Sequence, residues 1–84
     1  MHKQTLTFHS DPGHGWLEVP QNMLPPEIRA KISHYSYQNS ESYFLEEDCD
    51  AAIALDYFQS RGIEIETSVK HYANDAPMRY MRRM

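Results

Sequence analysis

The segment EEDCDAAIALDYFQSRGIEIETSVKHY, residues 46–72, changes from helical to strand periodicity at a single glycine. Acidic residues open it, where the exposed amide groups of a helix favour negative charge, and Asp48 is the predicted N-cap of a helix over residues 49–61. Gly62 suits the position just after a helix. From Ile63 to Tyr72 apolar and polar side chains alternate, which predicts a strand with one face covered.

The predicted helix over residues 49–61 carries an apolar stripe at helical spacing. The stripe consists of Ala51, Ala54, Leu55 and Phe58, widened by Ile53 and Tyr57. Because this stripe must face a core, we expect both Leu55 and Phe58 to be buried.

Further elements are predicted upstream of this segment. Two strands flank an Asp-Pro-Gly turn, a short helix follows a Pro-Pro pair, and a hairpin precedes the acidic run. Their residues are 4–9 and 16–19 for the strands, 21–33 for the helix, and 34–37 with 42–45 for the hairpin. The order β-β-α-β-β-α-β predicts a two-layer α+β fold, in which two helices cover a mostly antiparallel sheet of about five strands.

Length and charge set the domain organisation. With 84 residues the chain is one small domain, predicted as a compact body over residues 1–76 and a basic C-terminal tail over residues 77–84. The body has twelve acidic and five basic residues, a net charge of −7, whereas the tail contributes Arg79, Arg82 and Arg83. An acidic body repels phosphate, so only the tail is a candidate contact for nucleic acid.

The sequence predicts a cytoplasmic protein that does not enter a membrane. Its one cysteine, Cys49, cannot form an internal disulfide. We find no signal-peptide pattern and no apolar run long enough to span a bilayer.

Three stretches of the sequence carry a resemblance. They are SDPGHGWLEVP over residues 10–20, ISHYSY over residues 32–37 and YFLEEDCDA over residues 43–51. In this order they resemble small, uncharacterised proteins carried by bacteriophages, plasmids and integrated elements of bacteria. The resemblance covers most of residues 8–62. It implies a mobile-element context and no particular activity.

A group of potential metal ligands lies in the first of these stretches. His9, Asp11 and His14 together with the acidic run of residues 46–50 offer donors for zinc, magnesium or calcium. The alternative interpretation is that Asp11 caps the turn and the acidic run caps the helix. Cys49 lies among carboxylates that oppose a thiolate, so we expect it to be structural. The sequence therefore predicts no cofactor, with metal binding as an alternative.

Aromatic and acidic residues form the candidate partner-binding surface. The residues are His14, Trp16, Tyr35, Tyr37, Glu46, Glu47, Asp48 and Asp50. Tyrosine and tryptophan are enriched at protein interfaces. The alternative for Trp16 is an anchor in the core beside the turn.

From these observations we expect a small, non-catalytic interaction protein of mobile-element type. Its predicted partner is a host protein, such as a nucleic-acid-handling or defence complex that it inhibits in the manner of an anti-CRISPR protein. Two alternatives stay open. One is a small metal-binding or enzymatic domain that uses His9, Asp11, His14 and residues 46–50. The other is a nucleic-acid accessory protein that uses the basic tail.

Overall fold

The computed structural model describes residues 2–84, which form a single six-stranded sheet with two helices. In chain order the elements are β1 (His2–Ser10), β2 (Gly15–Pro20), α1 (Pro26–Arg29), β3 (Tyr37–Gln38), β4 (Ser42–Glu46), α2 (Ala51–Ser60), β5 (Ile63–His71) and β6 (Arg82–Arg83). Short 3-10 turns lie at Gln21–Met23 and Pro77–Tyr80. The predicted α+β fold and the predicted order of elements are confirmed, and β6 adds a sixth strand.

The sheet is mixed, with strand order β5-β1-β2-β4-β3-β6. Its one parallel pairing joins β1 to β5, with Leu6 opposite Thr67 and Phe8 opposite Val69. The other pairings in the described residues are antiparallel. After β4, an interior strand, the chain passes through α2 to the far side of β1, where β5 forms one edge of the sheet.

The main core lies between the sheet and the helices. It is formed by buried residues of β1, β2, β4 and α2, together with one residue before α1: Leu6, Leu17, Val19, Leu24, Tyr43, Leu45, Ala51, Ala54 and Phe58. Ala54 and Phe58 are completely buried, whereas Leu55 is 36% exposed. The prediction that Leu55 is buried is therefore wrong, because α2 presents the Ala54–Phe58 edge of its apolar stripe to the sheet.

The opposite face of the sheet carries a second, smaller cluster. Trp16, Tyr37 and Phe44 project from the strands and pack against Ala76 and Met78. The C-terminal segment thus covers this face. Residues 77–84 form a 3-10 turn and β6, which pairs with β3 and extends the sheet.

The boundaries of several elements differ from the predicted ones. Helix α1 has only four residues, Pro26–Arg29, and not the span 21–33. Helix α2 begins at Ala51, so Asp50 and not Asp48 is the residue that precedes it. Gly62 has a φ of +72°, which a glycine adopts without strain and which confirms its predicted position.

The covered face of β5 is shorter than predicted. Ile63 and Ile65 are half-buried, but Thr67 and Val69 of the same face are exposed. Helix α2 therefore covers only the first half of this strand. Within residues 2–84, no helix is long and apolar enough to cross a membrane.

Candidate functional site

One cleft brings together all three stretches that the sequence analysis singled out. The cleft has a volume of about 450 Å³ and is lined by His14, Trp16, Tyr35, Tyr37, Glu46, Asp48, Cys49, Arg79 and Arg83. The first stretch contributes His14 and Trp16, and the C-terminal segment contributes the two arginines. Antiparallel pairing of β2 with β4 explains the juxtaposition, because it places Trp16 opposite Glu46.

Asp11 organises the turn that carries His14 into the cleft. Its Oδ1 accepts hydrogen bonds from the backbone N–H groups of Gly13 and His14, both at 2.9 Å. Its Oδ2 accepts one from the backbone N–H of Ala76, also at 2.9 Å. Asp11 therefore caps the turn, as the alternative interpretation of the sequence has it, and also ties it to the C-terminal segment.

Arg79 completes the surroundings of the same carboxylate. Its Nη2 donates to Asp11 Oδ1 at 2.9 Å, and its Nε donates to Oδ2. This pairing with Arg79, assisted by the backbone donors, lowers the pKa of Asp11 far below its ordinary value although burial opposes the shift. A Cβ on residue 13 would lie 2.8 Å from Arg79 Nη2, so a larger residue there would force the guanidinium to shift.

Trp16 forms the floor of the cleft and is only 2% exposed. The guanidinium of Arg79 lies 5.0 Å from the centre of its ring, and Tyr37 meets it edge-on at 6.3 Å. Its Nε1 is buried and has no hydrogen-bond acceptor among residues 2–84. Trp16 is therefore a core anchor with one unpaired donor.

The structure divides the acidic run into two buried and two exposed carboxylates. Glu46 accepts hydrogen bonds from the backbone N–H groups of Asp48 at 3.1 Å and Cys49 at 3.0 Å. Glu47 and Asp48 are exposed, whereas Glu46 and Asp50 are buried. Of the four acidic residues, only Glu47 and Asp48 are free to contact a partner.

Asp50 joins the second and third stretches of the sequence. It accepts hydrogen bonds from Ser33, through N–H at 3.0 Å and Oγ at 2.7 Å, and from the Oγ of Ser36. Ser36 Oγ in turn accepts the backbone N–H of Glu46 at 2.9 Å. The backbone turns at Ser33–Ser36 to make these bonds, which is why β3 begins only at Tyr37 and not at the predicted residue 34.

The predicted histidine and acid cluster is partly rearranged. His9 lies outside the cleft, where its Nδ1 is 2.8 Å from Tyr72 Oη and its Nε2 is 2.8 Å from Glu18 Oε1. His14 instead meets Glu46 and Asp48, and one ligand atom from each of the three lies within 4.8 Å of the others. The sequence groups these three residues with His9, Asp11 and the rest of the acidic run, and only the β2–β4 register shows which of them lie together.

Cys49 lies exposed at the cleft beside Glu46. Desolvation raises the pKa of its thiol, and so do a hydrogen bond from the thiol to Glu46 and the negative charges of Glu46, Asp50 and Asp48. The thiol is therefore protonated at neutral pH, and a protonated thiol is a poor nucleophile.

The three arginines of the C-terminal segment have different surroundings. Arg79 is paired with Asp11 as described, and Arg83 lies 5.1 Å from the centre of the Tyr37 ring while its Nη1 donates to the carbonyl oxygen of His34 at 3.2 Å. Arg82 is exposed at a separate cavity. Tyr35 at the rim of the cleft is 56% exposed and stacks on His34.

Comparisons with protein-family models, with curated proteins and with solved structures gave no match for this chain.

Proposed function

We propose that this protein is a non-catalytic interaction module that binds a partner protein through the cleft. The observation that carries the proposal is the convergence of three separate stretches and two arginines on one concave surface. The buried carboxylates of Asp11, Glu46 and Asp50 anchor the loops that form its walls. A surface fixed in this way loses little conformational entropy when it binds.

The side chains at the rim have the composition of a protein interface. Tyr35, Arg83 and His14 are exposed around the nearly buried Trp16. Tyrosine, tryptophan and arginine are the residue types that most often supply binding energy at interfaces, particularly around a desolvated centre. These rim residues favour a protein partner over a small substrate.

Two features of the cleft favour binding over catalysis. The Cys49 thiol is held protonated by its acidic neighbours, so it does not act as a nucleophile at neutral pH. The charge of Arg79 is neutralised by Asp11, and both nitrogens of His9 have partners outside the cleft. Arg79 and His9 are thus engaged in structural contacts.

Charge suggests the class of partner. The chain as a whole carries a net charge of −4, which favours association with a basic surface. Proteins that handle nucleic acid have such surfaces. Together with the mobile-element context implied by the sequence, this supports a cytoplasmic host protein as target and inhibition of a defence complex as the outcome.

The proposal can be tested by photo-crosslinking from defined positions. A benzoylphenylalanine residue in place of Tyr35 samples the cleft rim, and the same residue in place of Val69 is the matched control. The two side chains are 56% and 52% exposed, and Val69 lies on β5 at the opposite edge of the sheet. Both proteins are incubated in a nuclease-treated bacterial lysate, and adducts are identified by mass spectrometry.

We expect one host protein to crosslink from position 35 but not from position 69, and Arg83→Ala to reduce the yield. The same adduct at equal yield from both positions would show that the cleft is not the binding surface. Adducts that form only when nuclease is omitted would instead indicate a nucleic-acid-dependent association.

A further inference from the structure

We propose that His14, Glu46 and Asp48 form a binding site for a divalent transition-metal ion, with Zn²⁺ as the ion that best fits the donors. One ligand atom of each residue lies within 4.8 Å of the other two. The site is independent of the proposed partner, although it lies in the same cleft.

The geometry requires only a small closure. Bonds of about 2.0–2.2 Å in a tetrahedral site hold ligand atoms about 3.3–3.6 Å apart, so the group must contract by about 1 Å. His14 and Asp48 are exposed and can change rotamer at little cost, whereas Glu46 is buried. A fixed carboxylate approached by two adjustable side chains is a suitable arrangement for capturing an ion.

Hydrogen bonds already hold the carboxylate of Glu46 and the backbone that carries His14. The backbone N–H groups of Asp48 and Cys49 each bond to one oxygen of Glu46, which leaves further lone pairs on both oxygens. The backbone of His14 is fixed by Asp11 at 2.9 Å. Such supporting contacts around metal ligands raise metal affinity by restricting their orientation.

The donor set indicates the class of ion. An imidazole nitrogen with two carboxylates favours zinc or a neighbouring transition metal over calcium and magnesium, which prefer oxygen ligands alone. Three protein ligands leave the fourth tetrahedral position open. Of the two arginines that line the cleft, Arg79 is compensated by Asp11, whereas Arg83 is a positive charge that opposes the ion.

A second observation points to a ligand in this cleft. Trp16 lines it, is 2% exposed, and has a buried Nε1 with no acceptor in the described part of the chain. A buried donor without an acceptor is unfavourable. Zn²⁺ itself carries no lone pair for the indole N–H, so the acceptor would have to be a water molecule bound to the ion.

The test uses Co²⁺ as a spectroscopic probe of the full chain. The protein is prepared without a histidine tag and treated with chelator before titration. The single tryptophan, Trp16, lies with its ring centre 6.1 Å from that of His14, so Co²⁺ bound there should quench its fluorescence. We expect saturation at one ion per chain, visible absorption of the bound cobalt, and recovery of the fluorescence when Zn²⁺ displaces it.

Variants identify the ligands. We expect His14→Ala and Asp48→Asn each to weaken Co²⁺ binding at least about tenfold, because each removes one of three ligands. His71→Ala, which removes an exposed histidine of β5, should leave the binding unchanged. Cys49→Ser tests whether the thiol, which contacts Glu46, is itself a ligand. Thermal melts verify that each variant is folded.

Absence of quenching at millimolar Co²⁺, or equal quenching in His14→Ala, would overturn the site. Loss of binding in Cys49→Ser alone would also contradict it, since the ion would then be held by the thiol. None of these results bears on crosslinking from position 35, so the two proposals can fail separately.

Discussion

Asp11 and Arg79 are 68 residues apart in sequence and form a two-point ion pair that fastens the turn after β1 to the C-terminal segment. The Asp11 side chain is fully buried, and that of Arg79 is 27% exposed. The pair also positions the guanidinium over Trp16. It therefore supports both the fold and the floor of the cleft.

Asp11→Asn should lower the free energy of unfolding by about 3 kcal/mol. The amide can still accept bonds within the turn but leaves Arg79 without its counter-charge, and breaking a buried pair costs about 3–5 kcal/mol. We expect a loss at the lower end of this range because Arg79 is partly exposed, so its unpaired guanidinium can regain some hydration. Urea denaturation measures the change, with exposed Arg82→Gln expected to fall within about 0.5 kcal/mol of the wild type. Equal stability of both variants would show that the pair contributes little.

The same carboxylate predicts an acid dependence of stability. Arg79 holds the pKa of Asp11 in the folded state below its value in the unfolded chain, which is about 4. The unfolded state therefore binds more protons in acid, so the stabilisation is present above about pH 4 and is lost as pH falls below it. Melting temperatures between pH 6 and pH 2 should show the wild type converging on Asp11→Asn. Parallel curves would contradict the assignment.

Ser36→Ala should destabilise the protein by about 2–3 kcal/mol. The substitution removes a donor to the buried Asp50 and the acceptor of the Glu46 N–H, and hydrogen bonds to charged groups contribute about 1.5–3 kcal/mol each. Ser40→Ala in an exposed loop is the matched control. A chemical-denaturation midpoint equal to that of the control would show that Asp50 finds another donor.

Phe58→Ala and Leu55→Ala should differ sharply. Phe58 is fully buried, so its truncation leaves a cavity and costs about 3–5 kcal/mol. Leu55 is 36% exposed, and its truncation should cost about 1 kcal/mol or less. Thermal melts of both variants decide the matter. Similar losses would mean that Leu55 is buried together with Phe58, as the sequence alone predicts.

Met78→Ala should loosen the second cluster and expose Trp16. Met78 is 1% exposed and packs in the cluster that contains the indole. We expect a loss of about 2–5 kcal/mol and a red shift of the tryptophan emission. Met81→Ala, at a half-buried site beside the cluster, should have a smaller effect on both quantities. An unshifted spectrum for Met78→Ala would show that the segment does not seal this face.

The order of elements could be predicted because local signals determine it. Alternation in β5, the Asp-Pro-Gly turn and Gly62 each act over a few residues. Helix boundaries were predicted less well, since Asp50 is held in place by Ser33 and Ser36, which lie outside the local segment. The apolar stripe of α2 is also wide, so the helix could rotate about its axis by one residue and still present apolar side chains to the sheet.

The sequence predicts six of the nine residues that line the cleft, but neither their arrangement nor the place of Arg79 and Arg83 beside them. His14, Glu46 and Arg83 come from three separate segments, and only the strand pairing and the C-terminal turn bring them together. Nothing in the local sequence showed that Arg79 would pair with Asp11.

The two edges of the sheet restrict how any partner can approach. Edge strand β5 is nine residues long, but it alternates Glu64, Glu66 and Lys70 with other side chains, and Lys3 bonds to Glu66 at 3.0 Å. The other edge, β6, has two residues, both arginines. Charged or very short edges discourage an incoming strand from joining the ladder. Recognition by this protein should therefore proceed through side chains and not through strand addition, which also protects the free protein against edge-to-edge aggregation.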